Sequence, residues 1–421
     1  MDRSVETHLT VQKQIEDFFS LYFSYVGETE APRTYHRWSI LTSVSALLAR
    51  RIHFPFGHSV IYPNQFVMLM GSPGARKNTA MSVARKVMER IGYKHYGADR
   101  SSKERLLIDL WKSVAPEDET ELLELVMEDA VSEQFIAAPE FTDFTGKNNS
   151  EMLTMLGNIW DNPPEYKHPK ITGKSILVPN PTINILGGNT PEAYNLNMPQ
   201  EAMGTGFMAR LIHVHSDPTG KKITEPKPPV PEYAAALDER FKKIKRLRGI
   251  VTRTPEALKV MERIYKEYKD IDDHRFKHYN GRRFTHIIKL AMTIAASRLS
   301  LVMHPEDFIA ANTILHYTER KMPKALGEFG KARNASVANT IMEIMINAKM
   351  PVTVRYLWKQ VQNDLNRQEE LNEILRNMIS AQKIQLVEAG GKSGYAPRNE
   401  YVKKWESDLL WDNLLSTEER A

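Results

Sequence analysis

Apolar residues along this chain follow two rhythms. Between 8 and 50 they recur at helical spacing: Ile15, Phe18, Phe19, Tyr22 and Phe23, then Trp38, Ile40, Leu41 and Leu47. Steps of three and four put such residues on one side of a helix, so the chain opens with a helical preface, drawn at 1–60. The second rhythm is short and unbroken. Phe66-Val67-Met68-Leu69-Met70, Phe135-Ile136-Ala137-Ala138, Thr182-Ile183-Asn184-Ile185-Leu186 and the run from Leu211 to His215 suit buried strands. Residues 54–64 read as a turn-rich approach to the first of these. Helices are predicted between the strands, over 79–91, after Ser101-Ser102 with its Glu104, and over 150–160. Strands alternating with helices predict an α/β core over 61–220.

The texture changes twice more. Prolines bracket two short segments, 166–171 and 175–178, around Thr172-Gly173, which is a hairpin signal. Residues 216–232, rich in Pro and Lys, form a linker. Beyond it, 233–328 reads as helical throughout, with helices at 285–301 and 307–317, and makes a helical lid drawn at 233–330. Residues 335–404 look like a separate small domain: helices at 336–348, 354–364 and 368–381, then two strands around Gly390-Gly391-Lys392-Ser393-Gly394. Three helices and a two-stranded wing make a winged helix, followed by a C-terminal tail at 405–421. Residues 117–129 are strongly acidic and suit a solvated helix face.

Composition narrows the function classes. A chain of 421 residues, 42% apolar and 26% charged, is that of a globular protein with two or three domains. No run approaches the roughly 18 apolar residues of a membrane span, and the charged N-terminus lacks a signal core. A cytoplasmic protein with no membrane partner is expected, in the host cytoplasm if phage-encoded. The absence of cysteine excludes disulfides, thiolate metal sites and cysteine nucleophiles. A net charge of +5 permits nucleic-acid contact without demanding it.

The chemistry centres on Gly71-Ser72-Pro73-Gly74-Ala75-Arg76-Lys77-Asn78-Thr79. A glycine-rich turn between a strand and a helix presents backbone N–H groups and a helix N-terminus to a polyphosphate. Gly71, Gly74, Arg76, Lys77, Asn78 and Thr79 are the expected nucleotide-binding residues, with ATP and Mg²⁺ as the cofactors. The match to G-x-x-x-x-G-K-[ST] is imperfect. Arg76 takes the second glycine's place and Asn78 that of the hydroxyl residue, so Asn78 or Thr79 must serve the metal. An ordinary Gly/Pro turn is the plain alternative.

Phosphoryl transfer to water also needs a carboxylate to orient water and a cation for developing charge. Glu140, at the end of an apolar strand, is the expected carboxylate, with Asp143 assisting the metal. Asn189 ends the next strand and can hold water or the terminal phosphate. Arg210, before another strand, is placed to reach a neighbouring subunit's nucleotide. Arg282 and Arg283 both begin the 285 helix and either can close over the nucleotide; of the two, Arg283 is the one taken here as the nucleotide contact. Lys167, His168, Lys170 and Lys174 on the hairpin suit contact with a phosphate backbone. His213 and His215 share a strand face without further ligands and read as structural. Acidic residues on the third helix of the small domain, Glu369, Glu370 and Glu373, argue against ordinary major-groove reading.

These motifs, with Ala-Pro-Glu-Phe at 138–141, Asn-Ile-Trp-Asp at 158–161, Ile-Leu-Gly-Gly-Asn-Thr-Pro-Glu at 185–192 and Gly-Phe-Met-Ala-Arg at 206–210, resemble an AAA+ type ATPase. The likeness is closest to phage and mobile-element replication ATPases related to minichromosome-maintenance-like helicases, over residues 35–217. It implies a P-loop ATPase core, N-terminal helices, helical lid and winged helix. It also implies a hexameric ring with nucleotide between subunits, and a hairpin, here 165–178, that grips single-stranded DNA in the channel. The implied roles fall on Lys77, Glu140, Asn189 and Arg210. The expected function is an ATP-driven DNA helicase or translocase in phage or plasmid replication, alongside other replication proteins. A helicase loader or initiator, and a nucleotide-gated DNA-binding scaffold with little hydrolysis, are the alternatives. Arg76, Asn78 and Pro139, the last where Asp is usual, depart from the pattern.

Overall fold

The computed structural model describes residues 3–113, 131–168, 176–199, 201–202, 206–327, 333–348, 350–362, 364–365, 367–389, 392–398 and 408–420. The acidic stretch at 117–129, together with Lys170 and Lys174, lies outside them. The chain forms two compact units, one of residues 1–329 with 409–421, the other of 330–408.

The first unit is mixed α/β. Its chain begins with α1 (Arg3–Val26) and α2 (Arg33–Leu48), followed by β1 (Ile52–Phe56), β2 (Ser59–Ile61) and β3 (Phe66–Met70). Then come α3 (Lys77–Arg90), α4 (Lys103–Lys112), β4 (Glu133–Ala138), α5 (Phe141–Thr145) and α6 (Ser150–Trp160). β5 (Glu165–His168) and β6 (Ile176–Pro179) precede β7 (Thr182–Asn189), α7 (Pro191–Asn197), α8 (Gly206–Ala209) and β8 (Leu211–His215). The central sheet has the order β4-β7-β3-β8 with every pairing parallel. A parallel bridge between Tyr96 and Phe135 adds the start of a further strand beside β4. Parallel strands require crossovers, and both faces are covered by helices, which is why β3 and β7 are buried along their whole length.

α2 is buried nearly end to end and packs against α3, β3, β7 and β8. Small polar residues make this possible. Thr42 and Ser43 return their hydroxyls to the carbonyls of Trp38 and Ser39 at 2.7 and 2.9 Å, so they enter the core without unmet hydrogen bonds.

The structure differs from the sequence expectations in several places. Residues 54–64 are not an irregular approach. β1 and β2 form an antiparallel hairpin turning at Gly57, whose φ of +59° suits glycine. Pro55 within β1 hides the strand signal, and its missing N–H is tolerated in a strand this short. Nor is 233–328 purely helical. Beside α9 (Pro231–Lys245), α10 (Pro255–Glu267), α11 (Lys277–Asn280), α12 (Arg283–Ser297) and α13 (Pro305–Glu319), two-residue strands interrupt it. Gly249–Ile250 pairs with β1, and Thr252–Arg253 pairs with Val302–Met303. Strands so short leave no periodicity to read. Of the expected tail at 405–421, residues 408–420 are described, and 409–421 belong to the first unit. Arg37 and Glu419 form a buried ion pair at 2.6 Å, and Asn312 donates to the Leu409 carbonyl at 3.0 Å. The preface, core and lid segments pack as one unit.

The second unit holds helices Arg333–Ala348, Val354–Val361 and Gln368–Ser380, and an antiparallel ribbon of Ile384–Ala389 with Lys392–Pro397. Val337, Ile341, Leu357, Leu371 and Leu375 centre its own core. Among the described residues no helix is long and apolar enough to cross a membrane.

Candidate functional site

The strand-end loop that follows β3 is fixed from three sides. The Gly71 amide donates to the Asn189 carbonyl at 3.3 Å. Tyr35, from α2, donates its hydroxyl to Met70 and Ser216 carbonyls at 2.6 and 2.8 Å, tying the ends of β3 and β8 together. Burial pushes the Tyr35 hydroxyl pKa up, so it stays a donor. A Cβ on Gly71 would lie 2.4 Å from that hydroxyl. Gly71 is therefore required by this approach, while Gly74 is required by a φ of +83°.

Arg76 shows what its motif position demands. It has φ +60° and ψ 26°, the left-handed conformation glycine adopts without strain. A non-glycine residue there costs about 1–2 kcal/mol. Arg76 forms an ion pair with Glu30, in the segment between α1 and α2. Lys77 opens α3 and is only 7% exposed. Its ammonium donates to the Gly71 and Ser72 carbonyls at 2.7 and 3.2 Å, inside the curve of the loop. Burial lowers its pKa, opposed by Glu140 and Glu192.

Glu140 follows β4, which lies two strands from β3 with β7 between them. It nonetheless interacts electrostatically with Lys77. Burial and the neighbouring Asp143 raise its pKa, against Lys77. β7 is thin at this point. A Cβ on Gly188 would sit 2.4 Å from the Pro139 carbonyl oxygen and 3.5 Å from Asn78 Oδ1. This glycine marks where the loop helix and the acidic strand end meet. Asn189 is buried beside it. Its side chain donates to Thr142 Oγ1 at 3.3 Å and accepts from the Thr190 amide at 3.0 Å.

A groove of about 450 Å³ continues from the loop, within the range of small-ligand sites. Thr79, Val83 and Lys86 form one wall at helical spacing along α3, and Tyr25, Glu30 and Ile223 contribute to the others. The segment expected to be a plain linker thus helps build the groove. Thr79 belongs to the groove, while Asn78 approaches Gly188. Of the two loop residues proposed for the metal, Asn78 is the one that approaches Gly188, where the Pro139 carbonyl also lies. Asn78, Glu140 and Asp143 offer oxygen donors, the set a hard divalent cation takes.

Two arginines stand elsewhere. Arg283 is corrected outright. It is 3% exposed, donates to both Glu319 carboxylate oxygens at 2.8 and 2.9 Å and to Asn312 at 3.0 Å, and serves the interior of the lid helices. Arg210 precedes β8, so roughly 16 Å of strand separates it from the loop end of the sheet. It pairs with Asp161 and donates to the Gly206 carbonyl at 2.7 Å. Arg282, which sequence reasoning set aside for Arg283, reaches the same carboxylate at 3.3 Å. Lys289 lies 4.1 Å over the Trp160 ring nearby and donates to the Tyr62 carbonyl at 2.9 Å. Burial lowers its pKa to about 7. Nothing in local sequence joins these residues, because they come from four elements.

The hairpin forms between β5 and β6, with Lys167 opposite Leu177 and His168 opposite Ile176. Lys167 is exposed and paired with Glu165 at 2.5 Å, and His168 lies 3.9 Å from Glu104. Arg50 braces the root through the Asn162 and Pro163 carbonyls at 3.3 and 2.9 Å. His213 is buried against Tyr194 at 3.1 Å, and burial lowers its pKa to about 3. The neutral ring belongs to the core.

Compared with known proteins, the sequence matches no protein-family model and no curated protein.

Proposed function

We propose that this chain is an AAA+ type P-loop ATPase that hydrolyses ATP to drive movement along single-stranded DNA. The observation carrying this reading is the loop between β3 and α3, which curves around the buried Lys77 ammonium, with Glu140 following the strand two places away in the same parallel sheet. A triphosphate in the loop would meet backbone amides, the α3 N-terminus and the Lys77 ammonium. The Lys77 ammonium already donates to two carbonyls, so it can exchange them for phosphate oxygens. Glu140 accepts a proton from water better for its raised pKa. Asn189 is positioned by Thr142 at the same strand ends. Asn78, Glu140 and Asp143 are the residues that would hold Mg²⁺, which supplies neutralisation of phosphate charge.

Arg210 is too far along β8 to serve its own loop. Its role belongs to a head-to-tail assembly, a hexameric ring in this reading, in which it faces the nucleotide of the next copy. The β5–β6 hairpin would carry the DNA contact, and the second unit the place of a winged helix.

DNA-stimulated ATP hydrolysis together with strand displacement is the test. A folded wild-type protein showing neither removes the reading. ATP binding with negligible turnover, unaltered by Glu140→Gln, would instead favour a nucleotide-gated scaffold.

A further inference from the structure

Arg76 is half-exposed on the groove side of the loop, next in sequence to Lys77. Its partner Glu30 does more than neutralise it. The Glu30 carboxylate accepts the Ile223 amide at 2.9 Å, and the Glu30 carbonyl accepts the Thr219 hydroxyl at 2.8 Å. One residue thereby joins the phosphate loop to the segment that forms a groove wall. Glu30, Arg76, Thr79 and Ile223 all line the same groove. The ion pair sits at the seam between loop and groove.

We propose that Arg76 and Glu30 form an exchangeable clasp: the phosphates of a bound nucleotide take the Arg76 guanidinium from Glu30, and the Glu30 carboxylate, no longer anchored to the loop, is free to move together with residues 219–225 that it holds. The inference rests on the nucleotide reading of the loop. Two features support exchange. A carboxylate and a phosphate compete for the same guanidinium fork, and a polyphosphate carries more charge and more acceptor oxygens. The pair is also solvent-accessible, where ion pairs are held weakly and exchange freely. The left-handed backbone of Arg76 adds a reason for the residue to be there, since glycine would remove the strain along with the charge. Arg76 is then a phosphate ligand that the motif's usual glycine cannot supply, and Glu30 is the internal competitor that sets its availability.

The test uses the full chain, with a fluorescent ATP analogue for affinity and hydrogen exchange of peptides covering 219–225. Glu30→Gln should bind ATP about tenfold more tightly, because Arg76 is released in advance. Arg76→Asn, a residue that tolerates the left-handed region, should bind about tenfold more weakly. ATP should raise exchange at 219–225 in wild type, and Glu30→Gln should show the raised exchange before ATP is added. The wild-type exchange experiment needs no substitution, so a misfolded variant does not decide the matter. ATP binding that Lys77→Ala abolishes, but that neither clasp variant alters and that leaves exchange at 219–225 unchanged, overturns the clasp alone. No ATP binding by wild type overturns the nucleotide reading and the clasp with it.

Discussion

Lys77 at one end of the central sheet and the Arg210–Arg282 pair at the other are held in opposite ways. At the loop end, Lys77 is held by neutral carbonyls, with Glu140 near but not bonded. At the far end, Arg210 and Arg282 share one carboxylate, Asp161, and Lys289 sits on an aromatic face beside them. Neutral acceptors leave a positive charge available to an incoming anion. A carboxylate cancels it. On the proposed reading, Lys77 would be available to phosphate directly, while Arg210 and Arg282 would be released only by a competing anion.

Substitutions can break this contrast at either end. Glu140→Gln should have the largest effect, lowering turnover by about 10²–10⁴-fold with ATP affinity near wild type. Steady-state kinetics beside equilibrium binding checks it, and equal loss in both would remove Glu140 from the chemistry. Lys77→Ala should weaken ATP binding by about 100-fold, or about 3 kcal/mol, because a charge-assisted contact is lost from a partly desolvated site. Calorimetric titration reads this directly.

At the far end, Asp161→Asn leaves two guanidinium groups without their counter-ion. Asp161 is half-exposed, so the cost should be about 1–2 kcal/mol rather than that of a buried pair. A Tm lower by about 2–4 °C is expected, and an unchanged Tm would make the shared carboxylate dispensable.

A further effect concerns pH. Lys289 has a folded pKa lowered to about 7 by burial, below its unfolded value. The stability this position confers is complete above the unfolded pKa and is lost as pH falls through about 7. Wild-type stability should rise with pH between about 7 and 9, and Lys289→Met should flatten that rise. Denaturant midpoints at several pH values would show it. An identical slope in both proteins would mean Lys289 stays charged.

Much of the architecture was legible because strand and helix periods are local. Phe66–Met70 and Leu211–His215 have the bounds the apolar runs suggested, and Ser150–Trp160 the helix bounds. β7 runs three residues beyond the apolar run, through Gly187, Gly188 and Asn189. Two glycines break the side-chain pattern there, yet the ladder with β3 continues because it is made by backbone groups. The choice of Arg283 failed for a different reason. Adjacent arginines at a helix start look alike in sequence, but one faces Glu319 inside the unit and its neighbour faces Asp161. Tyr35 and Glu30 gave no signal, and Asp161 only as the last residue of the 158–161 motif, since each acquires its role from partners distant in the chain.

The sequence by itself determined where the four strands of the central sheet lie, which turn carries the lysine, and which strand end carries the acid. Those features depend on residue type and spacing within about ten positions. Only the tertiary structure decided that β7 would pass between the two at a glycine, that Asn78 rather than Thr79 would approach Gly188, and that Asp161 would claim two arginines. Such outcomes depend on which backbones approach within a few ångströms, and that distance is set by packing of the whole unit.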